Sequence, residues 1–246
     1  MGMSAKDWDA LIREAGDLAG GNWSVVGKGR RAYLLRTPVR WWAQFIRYEN
    51  TSTGLLVAYQ GLLSYPLPRT ECGMDGITQG HLRDPDLRKS FAGNPGLVAA
   101  FAEAATDLVY REKWSEKGAL EISERYFRKN CEAGIMETIY QGFSRQLLVA
   151  QRVLCRSRPQ PDLQSDVQWV LDDPQVGERI WDDRSADFGK QATIDYWRAV
   201  ADRLDAADSD GLNELLLAQR RKTLLGLGLS EDLIGTPDLP EPEVAW

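Results

Sequence analysis

The sequence is poor in the side chains that most often carry out catalysis and bind metals. Its 246 residues include one histidine, His81, so metal sites that need two or more histidines from one chain are excluded. A Ser-His-Asp or Cys-His mechanism would have only one possible base. The three cysteines are widely spaced and form no Cys-x-x-Cys pair, which predicts reduced thiols rather than a disulfide framework.

The chain also lacks long apolar runs. No apolar stretch approaches the ~20 residues that a membrane-spanning helix needs, and the N-terminus has no apolar core of a secretory signal. Hydrophobic residues make up 43% of the sequence and charged residues 27%, values typical of a globular protein. We therefore expect a cytoplasmic protein without membrane association.

The N-terminal third is predicted to combine a helix with a sheet. Ser4 and Asp7 form a capping pattern before apolar residues at helical spacing, and Gly20 ends the helix. Aromatic and β-branched residues then predict strands at 23–26, 32–36, 41–49 and 55–65, separated by turn residues. Because the last two strands carry apolar residues on both faces, we expect a sheet that is covered on both sides.

From Leu97 onward the apolar residues recur at the spacing of an α-helix, and helices are predicted as far as Leu225. The sequence thus predicts an α+β fold: an N-terminal helix and a three- or four-stranded antiparallel meander, followed by a mostly helical C-terminal bundle. The expected organisation is a basic sheet subdomain (1–70), an irregular connector (71–96), a helical subdomain (97–234) and a tail rich in proline and acidic residues (235–246).

Charge is distributed unevenly along the chain, although the net charge is only −6. Residues 20–70 contain seven basic residues and one acidic residue, whereas residues 161–246 contain eight basic and nineteen acidic residues. One interpretation is that the two segments attract each other within the molecule. The alternative is that one of them faces a partner of opposite charge.

Three short motifs suggest specific chemistry. Residues 27–32 (GKGRRA) match the dinucleotide-binding pattern, but a strand rather than a helix is predicted to follow, which favours a hairpin turn. Asp182, Asp183 and Asp187 have the DDxxxD spacing and resemble the Mg²⁺-diphosphate motif of terpene synthases, although no second metal motif follows. The structural alternative is a solvated acidic helix end. The run that contains Asp208, Ser209 and Asp210 resembles part of a calcium loop but lacks two of the carboxylates that such a loop needs. One of these three residues is therefore interpreted as a helix N-cap.

Two further groups of residues are candidate site residues. His81 lies in the segment predicted to be irregular, with Cys72 and Asp84 nearby in sequence. Together with one of these side chains it could act as a general base. A basic aromatic stretch that also includes Arg30, Arg31 and Tyr48 could neutralise and stack on a single-stranded nucleic acid; its candidate binding residues are Arg36, Arg40, Trp41, Trp42 and Arg47. The competing interpretation is a buried aromatic core with arginine head groups at its rim.

The sequence therefore favours a non-enzymatic protein-interaction module, and we expect no cofactor and no metal. In this hypothesis a bacterial inhibitor or immunity-type protein binds a basic protein partner through an acidic helical surface that includes Asp182, Asp183 and Asp187. Nine tryptophans, a residue type common in interfaces, agree with it. The alternatives are an enzyme using His81 or Asp183, and a nucleic-acid-binding accessory protein. The oligomeric state stays open.

Overall fold

The first helix, α1 (Ala5–Ala19), forms where the capping pattern predicts it. In this computed structural model the Ser4 hydroxyl oxygen accepts a hydrogen bond from the Asp7 amide at 3.1 Å, and the helix ends at Gly20. The structure describes residues 3–49, 55–62, 78–81, 93–108, 124, 128, 139–173, 190–226 and 229–244. Over these residues the predicted α+β class is confirmed, with an N-terminal helix, an antiparallel sheet and a mostly helical C-terminal region.

A five-stranded sheet follows α1, with the strands neighbouring one another in chain order. They are β1 (Trp23–Val26), β2 (Tyr33–Arg36), β3 (Trp42–Glu49), β4 (Leu55–Leu62) and β5 (Thr78–His81). The pairs β1–β2, β2–β3 and β4–β5 are antiparallel, with Leu34 opposite both Val25 and Ile46. A short 3₁₀ turn (Gly29–Arg31) connects β1 to β2.

Strand β5 lies within the segment that the sequence predicts to be an irregular connector. Its four residues, Thr-Gln-Gly-His, have no apolar alternation and contain glycine, so local propensity does not identify a strand. The strand forms by pairing with β4, where Gly80 lies opposite Ala58 and His81 opposite Val57. This pairing is non-local and leaves no local signal in the sequence.

Strands β1, β2 and β3 carry buried residues on both faces, as the pattern predicts for β3. One set of strand residues joins a core with α1 and α2 (Pro95–Leu108) whose members include Trp8, Ile12, Leu34, Ile46, Val98 and Phe101. The Trp8 indole N–H donates a hydrogen bond to the Ala32 carbonyl at 2.7 Å and ties α1 to the sheet. Residues at alternating positions, Val26, Tyr33, Leu35 and Phe45, are also buried.

Four longer helices follow: α3 (Ile139–Cys155), α4 (Gln160–Leu171), α5 (Lys190–Asp205) and α6 (Ser209–Gly226). Helix α4 packs against both α3 and α5. Helix α6 begins after Asp208, whose carboxylate accepts a hydrogen bond from the Gly211 amide at 2.9 Å, so the predicted N-cap is confirmed. A short helix α7 (Glu231–Ile234) precedes a segment without helix or strand over residues 235–244.

The chain divides into two compact units. The sheet unit comprises Met1–Gly61, Met74–Lys113 and Leu225–Thr236, and the helical unit comprises Leu62–Gly73, Trp114–Leu224 and Pro237–Trp246. Each unit has buried apolar residues of its own. In the helical unit these include Leu148, Leu163, Val167, Trp197, Val200 and Leu212.

Candidate functional site

The turn between β1 and β2 presents three basic side chains, Lys28, Arg30 and Arg31, all of them exposed. We call residues 27–31 the basic turn. Helix α1 holds this turn in place through two side chains. The Asp9 carboxylate accepts a hydrogen bond from the Gly29 amide at 2.7 Å, and Arg13 donates one to the Gly27 carbonyl at 3.1 Å.

Asp9 and Arg13 also form a salt bridge with each other at 3.1 Å. The hydrogen bond from Arg13 is the main cause of a lowered pKa of Asp9, and the Gly29 amide lowers it further. Asp9 therefore connects the helix, the turn and Arg13, and it favours one arrangement of the basic turn.

The dinucleotide-binding interpretation of the turn does not fit this geometry. A dinucleotide site needs a helix to begin at the glycines so that its amides can bind the pyrophosphate. Here the glycines lead into a 3₁₀ turn and then β2, and the Gly29 amide already donates to Asp9. The hairpin interpretation is therefore the one that the structure supports.

The candidate residues of the basic aromatic stretch occupy different places along the strands. Arg36, at the end of β2, donates a hydrogen bond to the Gln44 side chain at 2.9 Å, and the exposed Arg40 follows in the β2–β3 connection. Arg47 lies near the other end of β3 and is half-buried. Trp41 is fully buried, so it offers no exposed ring for a base to stack on; for Trp42 only the backbone is described.

The other candidate residues are described in part or not at all. His81 ends strand β5, with its side chain outside the described part of the structure. Asp182, Asp183 and Asp187 fall outside the described residues, so the hypotheses that depend on them remain predictions. Among the residues that the structure describes, no group of three or more His, Cys, Asp or Glu side chains could hold a metal ion.

The helical unit contains a buried ionic network that the sequence patterns did not predict. Asp166 of α4 accepts hydrogen bonds from Arg152 of α3 at 3.1 Å and from Arg158 at 3.3 Å. Arg152 also donates to Glu124 at 3.0 Å. The Arg152 and Asp166 side chains are only 11% and 10% exposed, so this central pair is buried between α3 and α4, whereas Arg158 and Glu124 are 42% and 36% exposed.

A second buried pair connects the same two helices. Arg145 of α3 forms a salt bridge with Asp173 at 3.1 Å, and its guanidinium carbon lies 4.2 Å from the centre of the Trp169 ring. Arg145 and Arg152 are seven residues apart and share a helix face with Leu148. Arginines at core-facing helical positions were the sequence signal for this network.

These pairs change the interpretation of the acidic C-terminal region. Residues 139–173 contain four basic and four acidic residues, and residues 190–226 contain six of each, so both stretches are electrically neutral. The acidic excess counted from residue 161 arises partly because that count omits Arg145, Arg152, Arg156 and Arg158. Much of the predicted acidic surface is therefore compensated within the helical unit.

The C-terminal end contains a segment whose charged residues are all acidic. Residues 237–244, which we call the acidic tail, contain no basic residue and three exposed acidic ones, Asp238, Glu241 and Glu243. The amides of Glu243 and Val244 donate hydrogen bonds to the carbonyls of Cys155 and Arg156 at 3.1 and 3.0 Å. These bonds attach the tail to the C-terminal end of α3.

Arg156 stabilises the surface on which the tail lies. It has a left-handed backbone conformation (φ 45°), and its buried side chain donates to the Ser209 carbonyl and to the Asn213 side chain at the start of α6. Burial lowers the pKa of Arg156, and the charge of Asp210 partly opposes this shift. The tail is thus attached where α3 ends and α6 begins.

Comparisons with models of protein families, with curated proteins and with solved structures give no match for this chain. No helix in the described parts of the structure is both long and apolar enough to cross a membrane. The function must therefore be argued from the two charged surfaces themselves.

Proposed function

We propose that this chain is a non-enzymatic interaction protein that binds a basic protein partner through its acidic tail. In its fullest form, the proposal is a cytoplasmic bacterial inhibitor or immunity-type protein. The observation that supports it is the exposure of three acidic side chains, Asp238, Glu241 and Glu243, on a segment attached to α3 that contains no basic residue. The acidic helical surface that includes Asp182, Asp183 and Asp187 stays a prediction, because these residues lie outside the described part of the structure.

An attached tail suits this role better than a fully mobile one. A partner that binds a disordered segment must overcome the entropy lost when that segment becomes ordered. Two backbone hydrogen bonds already restrict the tail before a partner arrives. Exposed acidic side chains then supply electrostatic steering toward a basic surface and speed the encounter.

The charge requirement is tested with a fluorescent decalysine peptide, whose binding is followed by anisotropy. We expect Asp238→Asn/Glu241→Gln/Glu243→Gln to weaken binding roughly tenfold, because exposed charge pairs contribute about 0.2–1 kcal/mol each. The matched control, Asp162→Asn/Asp172→Asn/Glu214→Gln, removes the same charge from exposed helical positions. Equal losses in both variants would show that only net charge matters and would count against the proposal.

The partner is tested by photo-crosslinking in cells that naturally produce the protein. A photoreactive amino acid replaces Leu239 in the tail or, as the control, Gln168 on the exposed surface of α4. We expect a protein with a basic surface to crosslink from position 239 only, and the triple tail variant to abolish that product. The same products from both positions would contradict a specific role for the tail.

A further inference from the structure

The basic turn is a second charged surface, separate from the acidic tail that carries the proposed function. Lys28, Arg30 and Arg31 lie within four consecutive residues and are all exposed. Because they are so close in sequence, all three charged residues lie on the same connection between β1 and β2. No acidic residue interrupts residues 22–48, which contain the whole turn and the strands beside it.

The turn has a defined shape. Gly27 and Gly29 have positive φ values of 81° and 60°, which side-chain-bearing residues rarely adopt. A Cβ atom at Gly27 would lie 2.5 Å from the Arg31 carbonyl oxygen. Together with the hydrogen bonds to Asp9 and Arg13, this geometry restricts the backbone that carries the three basic residues before any ligand binds.

The chemistry around the turn favours phosphate groups over a protein surface. Protein interfaces depend on aromatic or apolar side chains buried at their centre, and residues 27–31 contain none. Contacts to a nucleic-acid backbone need only cations and polar groups, and arginine binds phosphate oxygens in a bidentate manner. The neighbouring aromatic side chains of Trp23, Tyr33, Phe45 and Tyr48 are buried, which disfavours base stacking.

We propose that the basic turn binds the phosphate backbone of a double-stranded nucleic acid without recognising its sequence. Lys28, Arg30 and Arg31 each neutralise one phosphate, and Asp9 and Arg13 act as positioning residues. This site shares Arg30 and Arg31 with the basic aromatic stretch, but it lies on the connection between β1 and β2 and needs no exposed aromatic ring. It is independent of the acidic tail.

The test uses the full chain and a fluorescein-labelled 20-base-pair DNA duplex, with anisotropy measured over a range of salt concentrations. Three phosphate contacts predict a slope of log K against log salt of about −2.7, and dissociation constants of about 10⁻⁴–10⁻⁶ M are typical of non-specific binding. We expect Lys28→Gln/Arg30→Gln/Arg31→Gln to abolish measurable binding, and each single substitution to reduce the slope by about one unit. Thermal melting of the variants checks that they remain folded.

A charge-matched control distinguishes the turn from net charge. Arg128→Gln/Arg198→Gln/Lys222→Gln removes three exposed charges from the helical unit, and we expect it to bind the duplex at least several times more tightly than the turn variant. Equal losses in the two variants, or no binding by the wild-type chain at low salt, would overturn the proposal. So would tighter binding of a polyglutamate peptide of equal charge, which would indicate an acidic polypeptide ligand instead.

The tail variant separates this proposal from the proposed function. Asp238→Asn/Glu241→Gln/Glu243→Gln should retain the salt slope of duplex binding while losing affinity for decalysine. Loss of the duplex salt slope in that variant would contradict an independent site at the basic turn.

Discussion

At the scale of residues, several charged side chains of the helical unit occupy positions that packing would otherwise give to apolar groups. Asp166 is bonded to two arginines, and Arg152 bridges it to Glu124. Removing charges from water is costly, and each member of such a network depends on its partners to offset that cost. The network therefore makes the pairing of α3 with α4 sensitive to single substitutions.

Replacing Asp166 should show this dependence. We expect Asp166→Ala to lower the free energy of unfolding by about 1–3 kcal/mol, because it leaves the buried Arg152 guanidinium with Glu124 as its one remaining carboxylate acceptor among the described residues. Urea unfolding followed by circular dichroism measures the change. Asp172→Ala, at an exposed position six residues further on and just beyond the end of α4, should change stability by about 0.5 kcal/mol or less. Similar effects of both substitutions would mean that the network contributes little.

Asp9 gives a prediction about pH. Its pKa in the folded chain lies below the ordinary value of 3.8, chiefly because of the hydrogen bond from Arg13. The carboxylate therefore stabilises the fold above the unfolded-state pKa, and this contribution is lost as pH falls through the folded-state value. Asp9→Asn should lower the melting temperature slightly at pH 7.

The matched control for Asp9 is Glu14→Gln, an exposed position on the same helix. Melting curves between pH 7 and pH 2 should show the difference between wild type and Asp9→Asn shrinking once the pH falls below about 4. A difference that stays constant across this range would exclude the charge of Asp9 as its cause.

At the scale of elements, α1 lies unusually close to the sheet. A Cβ atom at Gly16 would lie 2.6 Å from a Val25 methyl carbon and 3.3 Å from a Leu34 methyl carbon. Glycine within a helix normally costs about 1 kcal/mol relative to alanine. Here the close approach of helix and strand gives the glycine a packing role that offsets this cost.

Gly16→Ala tests which effect is larger. We expect a net loss of up to about 2 kcal/mol, because overpacking costs about 1–3 kcal/mol and the gain in helix propensity returns about 1 kcal/mol. The control is Gly96→Ala in α2, where an added Cβ would meet only the Asn94 side chain at 3.5 Å. That substitution should be neutral or stabilising in urea unfolding. If Gly16→Ala also stabilised the protein, the approach of α1 to β1 would have to be looser than described.

The attachment of the acidic tail is a second prediction at this scale. Glu243→Pro removes the amide that donates to the Cys155 carbonyl, whereas Glu243→Gln keeps that amide and removes only the charge. We expect the proline variant to increase hydrogen exchange at Val244, with a stability loss of about 0.5–1.5 kcal/mol. Equal exchange at Val244 in the two variants would argue against attachment through the backbone.

At the scale of the whole molecule, the sheet unit is not continuous in sequence. It takes residues Leu225–Thr236 from beyond the helical unit, and Leu229 and Ile234 in that stretch are buried. A chain cut after Lys113 therefore lacks part of the core of its own unit. Folding of the sheet unit should depend on residues more than one hundred positions away.

This dependence can be measured with a fragment. We expect residues 1–113 to melt at a lower temperature than the sheet unit does in the full chain, and a peptide of residues 225–236 added in trans to raise that temperature. The same peptide with Ile234→Asp should have no effect, because it places a charge at a buried position. A fragment that melts like the full chain would show that this segment adds nothing to the core.

The sequence by itself determined the features that depend on neighbouring residues. Ser4 and Asp7 predicted the start of α1, the glycines at 27 and 29 predicted a hairpin turn, and the acidic residues at 208–210 predicted the cap of α6. The α+β class followed from the apolar residues, which have strand-like patterns in the N-terminal part and helical spacing from about residue 97 onward. Such features are set by local hydrogen bonds and side-chain spacing, which are visible along the chain.

Which charged side chains pair inside the molecule and which are exposed depends on the tertiary structure. It paired Arg145 and Arg152 with carboxylates on or just beyond the next helix, buried Trp41, and left the acidic tail and the basic turn as charged surfaces. It also placed β5 beside β4 in a segment without a local strand pattern. These outcomes depend on contacts between residues distant in sequence, whose energies are decided by three-dimensional packing rather than by local pattern.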